Sequence, residues 1–93
     1  MSLALTHVET GRGEAVLCLQ AQRHIVWAGL YPRASAGAPL EIGIAARRTG
    51  VRTRGNALIV GRQAFPFHHR TQLRRAVIWL ERQGVRVTTE ASR

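Results

Sequence analysis

Four arginines, Arg47, Arg48, Arg52 and Arg54, fall within eight residues around the turn dipeptide Thr49-Gly50. Guanidinium groups so close together repel one another, and phosphates or a carboxylate-bearing partner relieve that repulsion. Read as a basic β-hairpin, the segment can track a nucleic-acid backbone or enter a groove, with a salt slope of roughly −0.9 per phosphate contact on duplex DNA. The competing reading is a solvated turn tip in an arginine-rich proteome. Turn tips ordinarily carry mixed charge or small polar residues, which favours binding.

A second basic group lies on a helical period. At about 100° per residue, Leu73, Ala76, Val77 and Leu80 form a stripe that must face a core. Arg74, Arg75 and Arg82 lie opposite, with Ile78 among them, Trp79 on the flank and Arg70 just ahead. Such a face can dock on phosphates while Ile78 and Trp79 make apolar or stacking contacts. It equally suits a solvated face whose arginine stems cover Ile78, or a homodimer contact centred on Ile78 and Trp79.

His68 and His69 precede this stretch. A histidine at a helix start can act as general base in RNA cleavage, with Arg70 or Arg74 stabilising a pentacovalent phosphate and Tyr31 participating. That idea rests on residue types, because no spacing here is diagnostic. Adjacent histidines also ligate metals, but the chain has no Asp and a lone Cys18, set in the apolar run from Ala15 to Leu19. No metal or cofactor is expected. The five glutamates are dispersed, with Glu9, Glu14, Glu41 and Glu81 suited to solvent-facing or arginine-paired roles. Gly11 and Gly13 precede a strand-like run without the Gly-Lys-Ser/Thr of a phosphate-binding loop, and no nucleophile elbow is present. An enzymatic role is the weaker reading.

The charge balance supports an anionic partner. The 93 residues hold 14 Arg and no Lys against 5 Glu and no Asp, for a formal net charge of +9. A GC-rich genome would replace Lys by Arg without selection, so the excess of charge is more informative than its chemical identity. The expected partners are nucleic acid, DNA or RNA, bound through its backbone, or an acidic protein, with a homo-oligomer as a further option. A 45% apolar fraction suits a globular fold, and the length suits a single domain over residues 1–93. Met1 to Glu9 lacks the features of a secretory signal, and the apolar runs are too short to span a bilayer. A free thiol is consistent with a reducing compartment. No membrane association and a cytoplasmic location are expected.

The elements that must position these residues follow from turn signals and period. Thr10-Gly11-Arg12-Gly13 is a turn, and Glu14 to Gln22 and His24 to Tyr31 read as strands pairing in a hairpin. Pro32 to Pro39 reads as a surface loop. From Leu40 the sequence alternates, with Leu40, Ile42, Ile44 and Ala46 on one face and Glu41, Gly43, Ala45 and Arg47 on the other, as in a half-buried strand. The low face at Gly43 and Ala45 can admit another backbone or a ligand, although glycine in a strand more often marks a bulge. Val51 to Thr53 and Ala57 to Arg62 are further β runs, and Phe65-Pro66-Phe67 ends the sheet region. Thr71 to Gln83 reads as a helix with Thr71 as N-cap and Gly84 as its stop. Val85 to Thr88 reads as a short edge strand before a frayed tail from Thr89. The expected fold is α+β, an antiparallel meander of about four or five strands with one C-terminal amphipathic helix packed on the sheet. Base stacking on such a sheet needs exposed aromatics, and only Trp27, Tyr31, Phe65, Phe67 and Trp79 are on hand, so sequence-specific readout is not expected.

Overall fold

The computed structural model describes residues 4–13, 15–33 and 37–90. Its first half is an antiparallel meander of β1 (Ala4–Glu9), β2 (Ala15–Ala21), β3 (Ile25–Pro32) and β4 (Glu41–Ala46), in that spatial order. The turn between β1 and β2 is organised by buried Thr10, whose Oγ1 donates to the Ala15 carbonyl at 3.0 Å and accepts the Arg12 N–H at 3.2 Å. Glu14 and residues 34–36 of the loop after β3 lie outside the described residues.

The second half builds another sheet from β5 (Val51–Arg54), β6 (Ala57–Val60), β7 (Gln63–Pro66) and, after the helix α1 (Arg70–Arg82), β8 (Val87–Thr89). Its order is β7-β6-β5-β8, with β8 parallel to β5 and the other pairs antiparallel. The α+β class, the antiparallel meander and the C-terminal helix match the sequence-based expectation. The strands, however, number eight among the described residues and divide between two sheets. β4 and β5 belong to different sheets, so Arg47 to Gly50 is a crossing between layers and not the tip of a hairpin.

The inner faces of both sheets and one stripe of α1 share a single apolar core. Leu17, Leu19, Val26 and Ala28 come from the first sheet, Val51, Leu58, Val60 and Phe65 from the second, and Leu73, Ala76 and Leu80 from the helix. The sheets approach each other where β3 and β4 meet β6 and β7, while α1 lies against β1 and β8 on the other side. The helix thus fills the opening between two splayed sheets, as an amphipathic stripe requires.

β4 is turned the opposite way from what its large side chains suggest. Gly43 and Ala45 point into the core, whereas Leu40, Ile42 and Ile44 are 63%, 47% and 55% exposed. The reason is close passage of the second sheet: a Cβ on Gly43 would sit 2.7 Å from the Val60 carbonyl oxygen and 3.1 Å from the Phe65 ring. Only small residues fit between β4 and that backbone, so the low face admits another backbone as anticipated, and the isoleucines must face outward.

The helix is capped two residues earlier than expected. His69 is the N-cap, with extended backbone and no side-chain capping bond, so Thr71 already lies inside the first turn. Its C-terminus is the one expected. Gly84 has φ +83°, its N–H donates to the Glu81 carbonyl, and the Val85 N–H donates to Leu80, a Schellman closure with both Leu80 and Val85 buried. Thr89 and Glu90, expected in a frayed tail, are instead paired: Thr89 pairs with Thr53, and the Glu90 N–H donates to the Thr53 carbonyl at 2.8 Å.

Candidate functional site

The arginines around Thr49-Gly50 divide into three kinds of environment. Arg47 is half-buried and turned inward. Its Nη1 donates to the Gln22 carbonyl at 2.8 Å, and its Nη2 donates to the Gln83 carbonyl at the end of α1. Carbonyls at a helix C-terminus carry partial negative charge, so the guanidinium caps α1 electrostatically while tying it to the β2–β3 turn. Arg52 and Arg54 flank Glu90. Arg54 Nε donates to Glu90 Oε1 at 2.8 Å, and Arg52 Nε lies 2.5 Å from Glu90 Oε2 in a charge contact without hydrogen-bond geometry. The hydrogen bond from Arg54 outweighs desolvation and, with the charges of Arg54 and Arg52, holds the Glu90 carboxyl below its ordinary range. Arg48 alone of the four is exposed and, among the described residues, without a hydrogen-bond or ion-pair partner.

The helix group is open. Arg70, Arg74, Arg75 and Arg82 are exposed, and among the described residues none has an ion-pair partner. From Arg70 to Arg82 they run about 18 Å along α1 at 1.5 Å per residue. The first turn of α1 carries no acid, so Arg70 stands at the positive end of the helix dipole, where an anion is favoured and a cation is not. Ile78, 41% exposed, rides the crest of the helix between two grooves. Arg75, Arg82 and Trp79 line the groove facing β1, and Arg70 and Arg74 the groove facing β5 and β8. Trp79 is half-buried against the core, which leaves only part of its ring for a partner.

The two groups meet at the C-terminal end of α1. Arg23, His24, Arg47, Arg48 and Gly84 surround a shallow cleft of about 540 Å³ there, and the Arg86 N–H donates to the Arg47 carbonyl at 3.1 Å. Arg23 and Arg86 were not singled out from the sequence. The signal lay in the β2–β3 turn position of Arg23, but the turn's approach to α1 depends on contacts 24 or more residues apart.

His68 and His69 are exposed, with rings edge-to-face at 4.4 Å. Tyr31, grouped with them in the RNA-cleavage reading, instead packs 6.2 Å from Trp27 on the outer face of the first sheet. Among the described residues no three His, Cys, Asp or Glu side chains come together as a metal site. Burial raises the Cys18 thiol above its ordinary range, as suits a small apolar packing residue. No helix among the described residues is long and apolar enough to cross a membrane. Comparison with protein-family models, with curated proteins and with solved structures finds no match for this chain.

Proposed function

We propose that this chain is a small accessory or regulatory protein that binds nucleic acid through its sugar-phosphate backbone, with little sequence specificity. The observation that carries the reading is the unneutralised set Arg70, Arg74, Arg75 and Arg82 along α1, continued by Arg48 and Arg23 around the cleft at its C-terminus. Phosphates supply the negative charge that the first turn of α1 lacks, and they accept bonds from guanidinium groups with no partner of their own. Arg47, Arg52 and Arg54 are already engaged within the chain, so they shape the surface more than they meet a ligand. Base readout has little support, because α1 offers only Ile78 and part of Trp79 beside its arginines.

The test is a titration of labelled single- and double-stranded oligonucleotides across salt. Affinity is expected to fall steeply from about 50 to 200 mM salt, and each helix arginine changed to alanine is expected to reduce the duplex slope by about one unit if it meets a phosphate. No binding to either form at low salt overturns the proposal. Ile78, exposed between Arg74 and Arg82, favours a second reading, docking of an acidic amphipathic protein segment on the same helix. In that case Ile78→Ser weakens capture of the partner as strongly as Arg74→Ala does, and nuclease treatment leaves it intact.

A further inference from the structure

We infer that the outer face of the first sheet is a self-association surface, which a second copy of this chain covers by packing sheet against sheet. The face is defined by the ladder register. Ile44, Trp27, Gln20 and Leu5 form one cross-strand row, Ile42, Gly29, Cys18 and His7 the next, and Tyr31, Val16 and Glu9 a third. Four of the five large apolar side chains exposed among the described residues, Leu5, Leu40, Ile42 and Ile44, lie on this face or at its margin. Trp27 lays its ring flat across Gly29, where any side chain would collide with it, and this gives the centre of the face a smooth aromatic and aliphatic floor. A contiguous apolar surface of this kind on a small protein marks a contact.

Charge identifies the occupant. The chain carries +9, yet among the described residues no arginine points from β1, β2, β3 or β4 onto this face. Among the described residues its only carboxylate, Glu9, is at the border and pairs with Arg33. An acidic partner or a nucleic acid would find nothing there to recognise. The complement of a flat, uncharged, apolar sheet face is another such face, and the molecule itself supplies one. Guanidinium groups keep to its border, with Arg23, Arg33 and Arg62 in turns and Arg75 and Arg82 across the groove beside β1, the arrangement of an apolar centre with a polar rim.

Edge-to-edge pairing through β4 is the less suitable geometry. Gly61, with φ +65° in the β6–β7 turn, presses against the Ile44 carbonyl and occupies the middle of that edge. Four strands about 4.8 Å apart and about six residues long give a footprint of roughly 19 by 20 Å per copy. The pair then covers about 760 Å², below the range of stable specific interfaces and in that of weak, transient ones, and the dissociation constant is expected to be micromolar or weaker.

Sedimentation equilibrium on nuclease-treated protein in about 0.5 M salt tests this, since surface charge is then screened. The expected result is a mass rising with protein concentration from 10.3 kDa toward twice that value. Ile44→Glu is expected to weaken association at least about tenfold, Ile44→Thr by a smaller factor with strand propensity kept, and Ile78→Glu on α1 not at all. Far-UV circular dichroism and the melting temperature of each diluted monomer establish that the exposed substitutions leave the fold intact. A chain that stays monomeric at the highest concentration, association that survives Ile44→Glu in a folded variant, or association lost with Ile78→Glu overturns the inference. So does flotation of monomeric protein with uncharged phosphatidylcholine vesicles, which assigns the face to lipid.

Discussion

Removing the Arg47 guanidinium leaves the Gln22 and Gln83 carbonyls without their side-chain donor and uncouples the end of α1 from the β2–β3 turn. Arg47→Ala is therefore expected to destabilise the fold by about 1–3 kcal/mol, measured by chemical denaturation, while nucleic-acid affinity falls less than in Arg74→Ala. Arg47→Lys recovers only part of the loss, because one ammonium cannot span two carbonyls as the guanidinium does. Glu90 gives a pH signature. Its folded pKa lies below the ordinary value of 4.5, chiefly because Arg54 hydrogen-bonds the ionised form. Such a group adds stability above its unfolded pKa, and that stability disappears as pH falls through the folded pKa. Glu90→Gln is expected to melt below the parent at pH 7 and to converge with it on acidification below about pH 4, read from melting temperatures across pH. Residue chemistry of this sort was partly legible in the sequence. The anion-seeking character of Arg70, Arg74, Arg75 and Arg82 follows from helical period alone, whereas the inward turn of Arg47 depends on carbonyls 25 and 36 residues away.

At the scale of elements, the tight passage between β4 and the β6–β7 turn determines which way β4 faces. A Cβ on Gly61 would overlap the Ile44 carbonyl, and the residue's φ is +65°. Gly61→Ala is expected to cost about 2–3 kcal/mol or more, through both backbone strain and separation of the sheets. Gly55, also at positive φ but with open space around it, supplies the control: Gly55→Ala is expected to cost only about 1 kcal/mol, from strain without a clash. Denaturant midpoints of the two variants decide the point. The same passage explains what the sequence pattern leaves out. Alternation groups Ile42 with Ile44 and Gly43 with Ala45, but it does not say which pair meets the core, and hydrophobicity alone favours the wrong one. β1 went unread because its inward residues Ala4, Thr6 and Val8 contrast little with outward Leu5, His7 and Glu9. α1 was legible nearly to the residue because a four-member apolar stripe and a left-handed Gly84 fix its period and its end.

For the whole molecule, charge and apolarity are sorted to different surfaces. Arg70, Arg74, Arg75 and Arg82 lie along α1 and Arg23 and Arg48 at its C-terminal cleft, whereas among the described residues no arginine projects from β1–β4 onto their outer face. Concentrated like charge destabilises the free protein, so a polyanion that binds only the folded state is expected to raise its melting temperature in proportion to RT ln(1 + [L]/Kd). Polyphosphate serves as the probe, compared with sodium chloride at equal ionic strength. A rise with polyphosphate alone, reduced when Arg70, Arg74, Arg75 and Arg82 are all alanine, is the expected outcome. Equal responses to the two salts indicate simple screening.

The second sheet ends in its shortest strand. β8 contributes three residues beside β5 and is held at its far end by Glu90, whose N–H donates to the Thr53 carbonyl. So short an element, joined to the rest by one ladder, opens at a lower free energy than the β2–β3 hairpin at the centre of the fold. Native-state hydrogen exchange should therefore show the Glu90 amide exchanging by local opening, well before the amides of Leu17 and Val26, and faster still in Glu90→Gln. If it instead exchanges as slowly as those core amides, β8 unfolds only together with the whole chain.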